Sequence, residues 1–344
     1  MRIRKLLFLP LLSLCFLQPA IAEDALSYKL VKMVVLGSPE RWDYLVYDDA
    51  SHRVFIAHGD HLSIVDGRSG AVIGEVGPFP GGTHGTAIVT ARGLGYTDDG
   101  KAGVAGSFDL STLKVTKLIP AEPGADGIVF DPASGHVFVT DGDSGHLTVI
   151  DPATNSAICT ISGGGGLEYS AVDGHGRLFV NGAEKNDLVA IDTATDTVIG
   201  HYPLTDCVKP HGLAIDTHTE RLFSSCSNGV LVVTDGYSGK IITSLPIGKG
   251  TDAAAFDPTR NLIFSSNGEG TVTVIKENGP NGFSVAGSIN TFPGARTMAV
   301  DPESGRLFLV TADVASVEPP STPGARPHVN YVPGSTKILF YDPL

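Results

Sequence analysis

Seven ionisable residues stand at nearly equal intervals along the chain: Asp43, His84, Asp126, Glu168, His211, Asp252 and Arg296, separated by 41 to 44 residues. Imidazoles beside carboxylates suit zinc or another borderline divalent ion, and His84, Asp126, Glu168 and His211 follow one another in that order. Arg296 suits a carboxylate-bearing or zwitterionic molecule, because a planar guanidinium grips carboxylates bidentately; it is equally suited to neutralising Asp252 or Asp43. None of this is chemistry unless the fold brings the seven residues to one place.

The intervals belong to an internal repeat. Its clearest copy runs from Asp126 through Phe130-Asp131-Pro132 and His136 to Thr140, then His146 to Asp151, then Ile158 to Ile161. Each unit holds four short β-branched or alternating apolar runs separated by Asp-Pro, Ser-Gly, Asn-Gly or Asp-Gly turn signals. Four strands every ~42 residues is the signature of a β-propeller blade, and no helical period competes with it. The expected fold is an all-β, seven-bladed β-propeller with four antiparallel strands per blade. The seventh unit is interrupted by a Pro-rich insert, 312–336, and the chain ends after its third strand. The run Tyr28 to Leu36 is the natural replacement for the missing fourth strand, so the ring closes with an N-terminal strand.

Strand direction places the starts of the first strands, and the ends of the second, around the mouth of the central channel. Antiparallel pairing from the turns sets Asp43 opposite His58, His84 opposite Asp99, Asp126 opposite Asp141, His211 opposite Cys226 and Asp252 opposite Asn267. His58 therefore joins the seven ring residues as a candidate ligand-binding group. A ring facing a water-filled channel is also a cheap place for merely hydrated charges, so the metal set and a purely solvated ring both stand as readings. His52, His136, His175 and His218 fall at turns on the opposite face.

Composition narrows the function. The chain has 344 residues, 42 % apolar, with 24 Lys and Arg against 37 Asp and Glu, a net charge of -13. This sign opposes a protein that lives by neutralising nucleic-acid phosphates. One Trp and 7 % aromatic residues argue against a site for pyrroloquinoline quinone (PQQ). No haem is expected, since Cys-x-x-Cys-His is absent, and no NAD, since no helix follows the glycine run Gly163 to Gly166. Asp141-Gly142-Asp143-Ser144-Gly145 resembles the start of a calcium loop but ends in Pro152 where an acidic ligand belongs, so a turn is expected. Neither Gly-x-Ser-x-Gly nor His-Glu-x-x-His occurs. Arg2, Arg4 and Lys5, the apolar run Leu6 to Leu17 and the small residues Ala20 and Ala22 read as a cleaved signal peptide, 1–22. Residues 23–344 are then a single propeller domain, exported to the periplasm or secreted, without a transmembrane segment and monomeric. In that compartment Cys207 and Cys226 are expected to form a disulfide. The alternative is a Cys226 and His211 nucleophile pair, while Cys159 reads as a small buried apolar residue.

The repeated strings Val149-Ile150-Asp151-Pro152-Ala153-Thr154 and Ala190-Ile191-Asp192-Thr193-Ala194-Thr195 resemble the YVTN-repeat, YncE-like family of exported bacterial seven-bladed, WD40-like propellers, over essentially the whole mature chain. The resemblance implies single-stranded nucleic-acid binding or a cell-surface role, and by fold kinship lactonase activity. The reading preferred on the residues is an exported, non-catalytic binding or scaffold propeller, which uses its channel mouth for a small polar ligand, a metal ion or a partner protein. A metal-dependent, lactonase-like hydrolase is the first alternative, and single-stranded nucleic-acid binding the second.

Overall fold

The computed structural model describes residues 27–319 and 328–344. The segment 1–22, expected to be a signal peptide, and the middle of the Pro-rich insert, with Pro320, Pro323 and Pro327, lie outside the described residues.

Seven four-stranded antiparallel sheets, one per repeat, make up a seven-bladed propeller. The first blade is typical, with strands Leu45–Asp48, Arg53–His58, His61–Asp66 and Val72–Val76 in spatial as well as sequence order. The turns between strands are built by aspartates. In the third-to-fourth-strand turns, Asp66 accepts from the backbone N–H of Arg68 and Ser69, and Asp109 from those of Ser111 and Thr112, so that the side chain closes the turn. These bonds favour the carboxylate; the Ser111 hydroxyl and Thr112 N–H pull Asp109 down to about 2.

An aromatic residue in the second strand of every blade (Phe55, Tyr96, Phe138, Phe179, Phe223, Phe264 and Phe308) is fully buried. Each wedges between its own sheet and a neighbour, and burying one such side chain contributes roughly 2–3 kcal/mol. A blade alone leaves this surface wet; the ring removes it from water. Outer strands gain less. Cys159, on the fourth strand Ser156–Ser162 of blade three, is exposed rather than buried. The apolar neighbours that suggested a core position share its fate, for Ile158 is half exposed on the same peripheral strand.

The last blade is completed as expected. Its sheet runs Tyr28–Gly37, Thr336–Pro343, Leu307–Thr311, Met298–Val300, and the N-terminal strand pairs antiparallel with the C-terminal one, Tyr28 opposite Pro343 and Val34 opposite Ile338. Within the insert, Val314–Glu318 and His328–Tyr331 form an additional two-stranded hairpin. Proline density hid this pairing from the sequence, since the prolines cluster between and after the two strands rather than inside them. Among the described residues the only helical turns are two single 3-10 turns, Thr90–Arg92 and Gly100–Ala102. No helix is long and apolar enough to cross a membrane.

Candidate functional site: the channel mouth

In blades three to six the ring residue lies in a β-bulge. Ala125 pairs with Asp141 and Gly127 with Thr140; Leu167 pairs with Gly182 and Ser170 with Val180; Pro210 pairs with Cys226 and Leu213 with Ser224; Thr251 pairs with Asn267 and Ala253 with Ser266. One extra residue on each inner strand re-aims the side chain at that point, which is how Asp126, Glu168, His211 and Asp252 leave the ladder. The pairings expected from the turns are therefore one residue out at Asp126, His211 and Asp252, because each bulge inserts a residue that the turn spacing does not show. In the other three blades Asp43, His84 and Arg296 stand just before the first strand.

The ring separates into two groups. In the first, Asp43, His84 and Asp126 each present a ligand atom within 4.8 Å of the others. His84 is held from behind: its Nδ1–H donates to Asp98 Oδ2 at 2.5 Å, while Asp98 Oδ1 accepts the backbone N–H groups of His84 and Gly85 at 3.0 and 2.8 Å. Asp98, fully buried, is thus the partner of His84. Asp99, expected there, instead accepts from Ala102 N–H and caps a 3-10 turn. A carboxylate behind Nδ1 leaves Nε2 facing outward, the arrangement that orients metal-bound histidines. Arg41 Nη2 donates to that Nε2 at 3.0 Å.

Electrostatics at this group favour positive charge. Burial works against protonation of His84, but Asp98, then Asp126 and Asp43, outweigh it and push the imidazole up to about 9. Burial raises Asp126 to about 7, with His84 opposing and Glu168 and Asp98 adding to it. Burial, then Asp252 and Asp126, carries Asp43 well above the usual carboxylate range. A guanidinium only donates, so Arg41 and a proton on Nε2 are alternatives. Either way a cation stands in front of Nε2. Among the described residues neither the Asp43 nor the Asp126 carboxylate accepts a hydrogen bond from a protein group.

The second group neutralises itself. His211 Nδ1 lies 3.2 Å from Glu168 and 3.7 Å from Asp252, its Nε2 2.9 Å from Ser227 Oγ, and Arg296 Nε donates to Asp252 at 2.6 Å. Arg296 also lies over the Trp42 ring and donates to the Trp42 carbonyl. Of the two expected contacts, the structure places Arg296 on Asp252. The four-residue metal set His84, Asp126, Glu168 and His211 is divided by this pairing, and Asp43 takes the third place beside His84 and Asp126. His58 stands apart: fully buried, its Nε2 bonds to the Pro39 carbonyl at 2.7 Å and its Nδ1 to Ser63 at 2.9 Å. Both nitrogens are spent holding the chain that leads into blade one.

Below the ring the channel is filled. Tyr44 of blade one and Tyr169 of blade four meet with ring centroids 4.4 Å apart, a contact that crosses the axis. Both immediately follow ring residues. In the equivalent position Gly85, Gly127 and Gly212 follow His84, Asp126 and His211, and a Cβ on Gly212 would lie 2.4 Å from the Ala254 nitrogen. Above the floor a cavity of about 350 Å³ opens, lined by Arg41, Lys101, His84, Asp126, Asp143 and Glu168 with glycine backbone between them.

Cys207 and Cys226 form a disulfide with Cα atoms 5.4 Å apart, at the entry to blade five. No thiolate is left for a Cys226 and His211 nucleophile pair. Asp141 to Gly145 is a hairpin turn closed by Gly145 N–H to the Asp141 carbonyl. Arg41, Asp98 and Lys101 were missed by the sequence reading. A signal for Asp98 existed in the doublet Asp98-Asp99, where only one could face the ring residue.

No family model matches the chain. Two curated relatives do, each described as uncharacterized protein YncE, from Salmonella typhimurium and Salmonella typhi; each is 28 % identical over 187 residues. That match takes in 52 % of this chain and 52 % of the relative, so the chain spans about half the length of the curated relatives it matches. Among solved structures, the WD40 repeats of RRP9 align with a TM-score of 0.74 at 12 % identity, over 92 % of this chain and 100 % of that one. A Kuenenia stuttgartiensis hydrazine synthase chain aligns at 0.68 and 13 %, over 85 % and 96 %. A chain of a mitotic checkpoint complex aligns at 0.74 and 11 %, over 98 % of both. These structures share the fold. The chain is a seven-bladed propeller that is similar, over about half its length, to the YncE proteins.

Proposed function

We propose that this YncE-like propeller is an exported, non-catalytic binding protein whose channel mouth holds a divalent cation on Asp43, His84 and Asp126. The observation that carries the reading is the convergence of one imidazole nitrogen and two carboxylates within 4.8 Å, with Asp98 orienting the imidazole. One His and two carboxylates suit zinc or manganese better than calcium, which prefers oxygen alone. The ion supplies the positive charge that the buried carboxylates require, in place of Arg41 or a proton.

Single-stranded nucleic acid is the weaker reading, since an acidic chain and an acidic mouth repel phosphates. The cation reading is tested by dialysing purified protein against Zn²⁺ and then metal-free buffer, with metal analysis of the retained ion. About one equivalent is expected for wild type and well under a third of that for His84→Ala. Equal retention by the two proteins, or none by either, contradicts the reading.

A further inference from the structure

Two cationic side chains line the mouth beside the proposed ion. Arg41 and Lys101 are exposed, line the same cavity, and make no ion pair among the described residues. Arg41 is nevertheless placed with care. It lies against Gly82, whose φ is +103° and where a Cβ would come within 2.6 Å of the guanidinium nitrogen Nη1. Glycine there leaves the space in which the guanidinium reaches His84 Nε2.

When a cation takes Nε2, Arg41 must leave it, because one lone pair serves one partner. Its five donors then turn into the cavity. Three protein ligands also leave coordination positions open on the ion. An occupant that fills an open position and satisfies the released guanidinium must carry anionic oxygen. The carboxylates of Asp126, Asp143 and Glu168 in the same lining limit how much negative charge it brings. A singly charged carboxylate meets both conditions, and a phosphate dianion meets the second poorly. The cavity, about 350 Å³, is at the small end for ligand sites.

We infer that the channel mouth binds a small monocarboxylate, one carboxylate oxygen on the cation held by Asp43, His84 and Asp126 and the charge gripped by Arg41 and Lys101. This rests on the cation reading above. The exchange of Arg41 from His84 to the ligand couples the two binding events.

Cobalt(II) replaces the ion as a visible probe. Protein loaded with Co²⁺ is titrated with sodium lactate, with sodium phosphate and with sodium perchlorate at matched ionic strength, following the visible d–d bands. Lactate is expected to shift the bands saturably, and phosphate and perchlorate to leave them unchanged. Arg41→Gln is expected to tighten Co²⁺ while weakening lactate about tenfold, and Lys101→Gln to weaken lactate alone. Opposite signs at Arg41 separate this role from a loss of folding. Bands indifferent to lactate, an equal response to phosphate, or lactate affinity unchanged in Arg41→Gln overturns the inference while the cation reading stands. Absence of any protein-bound Co²⁺ bands overturns both together.

Discussion

At the residue scale the mouth is a problem of charge placed over an apolar floor. Burial and neighbouring carboxylates push Asp43 and Asp126 toward their protonated forms, and a bound cation would take the place of those protons. Asp98 decides where that cation sits, because it fixes which imidazole nitrogen faces outward. Asp98→Asn is expected to weaken Zn²⁺ by about 10- to 100-fold, measured by calorimetric titration. The same variant should lower the pH at which the ¹⁵N shifts of His84 report loss of the imidazolium proton, since Asp98 is the first group holding that proton on, a readout that packing alone would not move. A different buried carboxylate sets pH dependence. Burial pushes Asp141 up to about 7 against the opposing hydrogen bond from Thr148. Its folded pKa lies above the unfolded value, so the folded chain holds an extra proton between about pH 4 and 7. Stability therefore falls as pH rises through that window. Asp141→Asn removes the effect, and its advantage over wild type in urea unfolding should grow by about 2–4 kcal/mol from pH 4 to pH 7.5. Of this scale, residue type and spacing were legible in the sequence, since all seven ring positions were found there. Partners were not, because a bulge of one residue moves each facing position and leaves no compositional mark.

At the scale of elements, two devices hold the mouth in shape. The first is the set of bulges that begin blades three to six. The second is the disulfide that ties the approach to blade five to the end of its second strand, with Cys207 and Cys226 19 residues apart. A loop of that length predicts that Cys207→Ser with Cys226→Ser lowers stability by about 3 kcal/mol, read from denaturant midpoints at constant slope. The strands and the closing N-terminal segment were legible because β-branched runs and Asp-Pro or Ser-Gly turns recur at a fixed period. Two elements were not. The insert hairpin lies among prolines that mask it, and Cys159 sits in an apolar run that proves to be a peripheral strand, where the same residues face water.

At the scale of the whole molecule, the repeat turns a one-dimensional spacing of about 42 residues into a ring, and with it seven scattered residues into one surface. The ring is not symmetric in function. Blades four to seven close their charges among themselves through Glu168, His211, Asp252 and Arg296, whereas blades one to three leave Asp43, His84 and Asp126 converging with Arg41 above them. The asymmetry is what singles out a cation site on one side of the mouth. Anomalous X-ray diffraction from crystals soaked in Zn²⁺, recorded on both sides of the zinc edge, tests it most directly. The account requires one strong peak about 2.0–2.2 Å from His84 Nε2 and from oxygens of Asp43 and Asp126. A peak between Glu168 and His211, or no peak at the mouth, would contradict it.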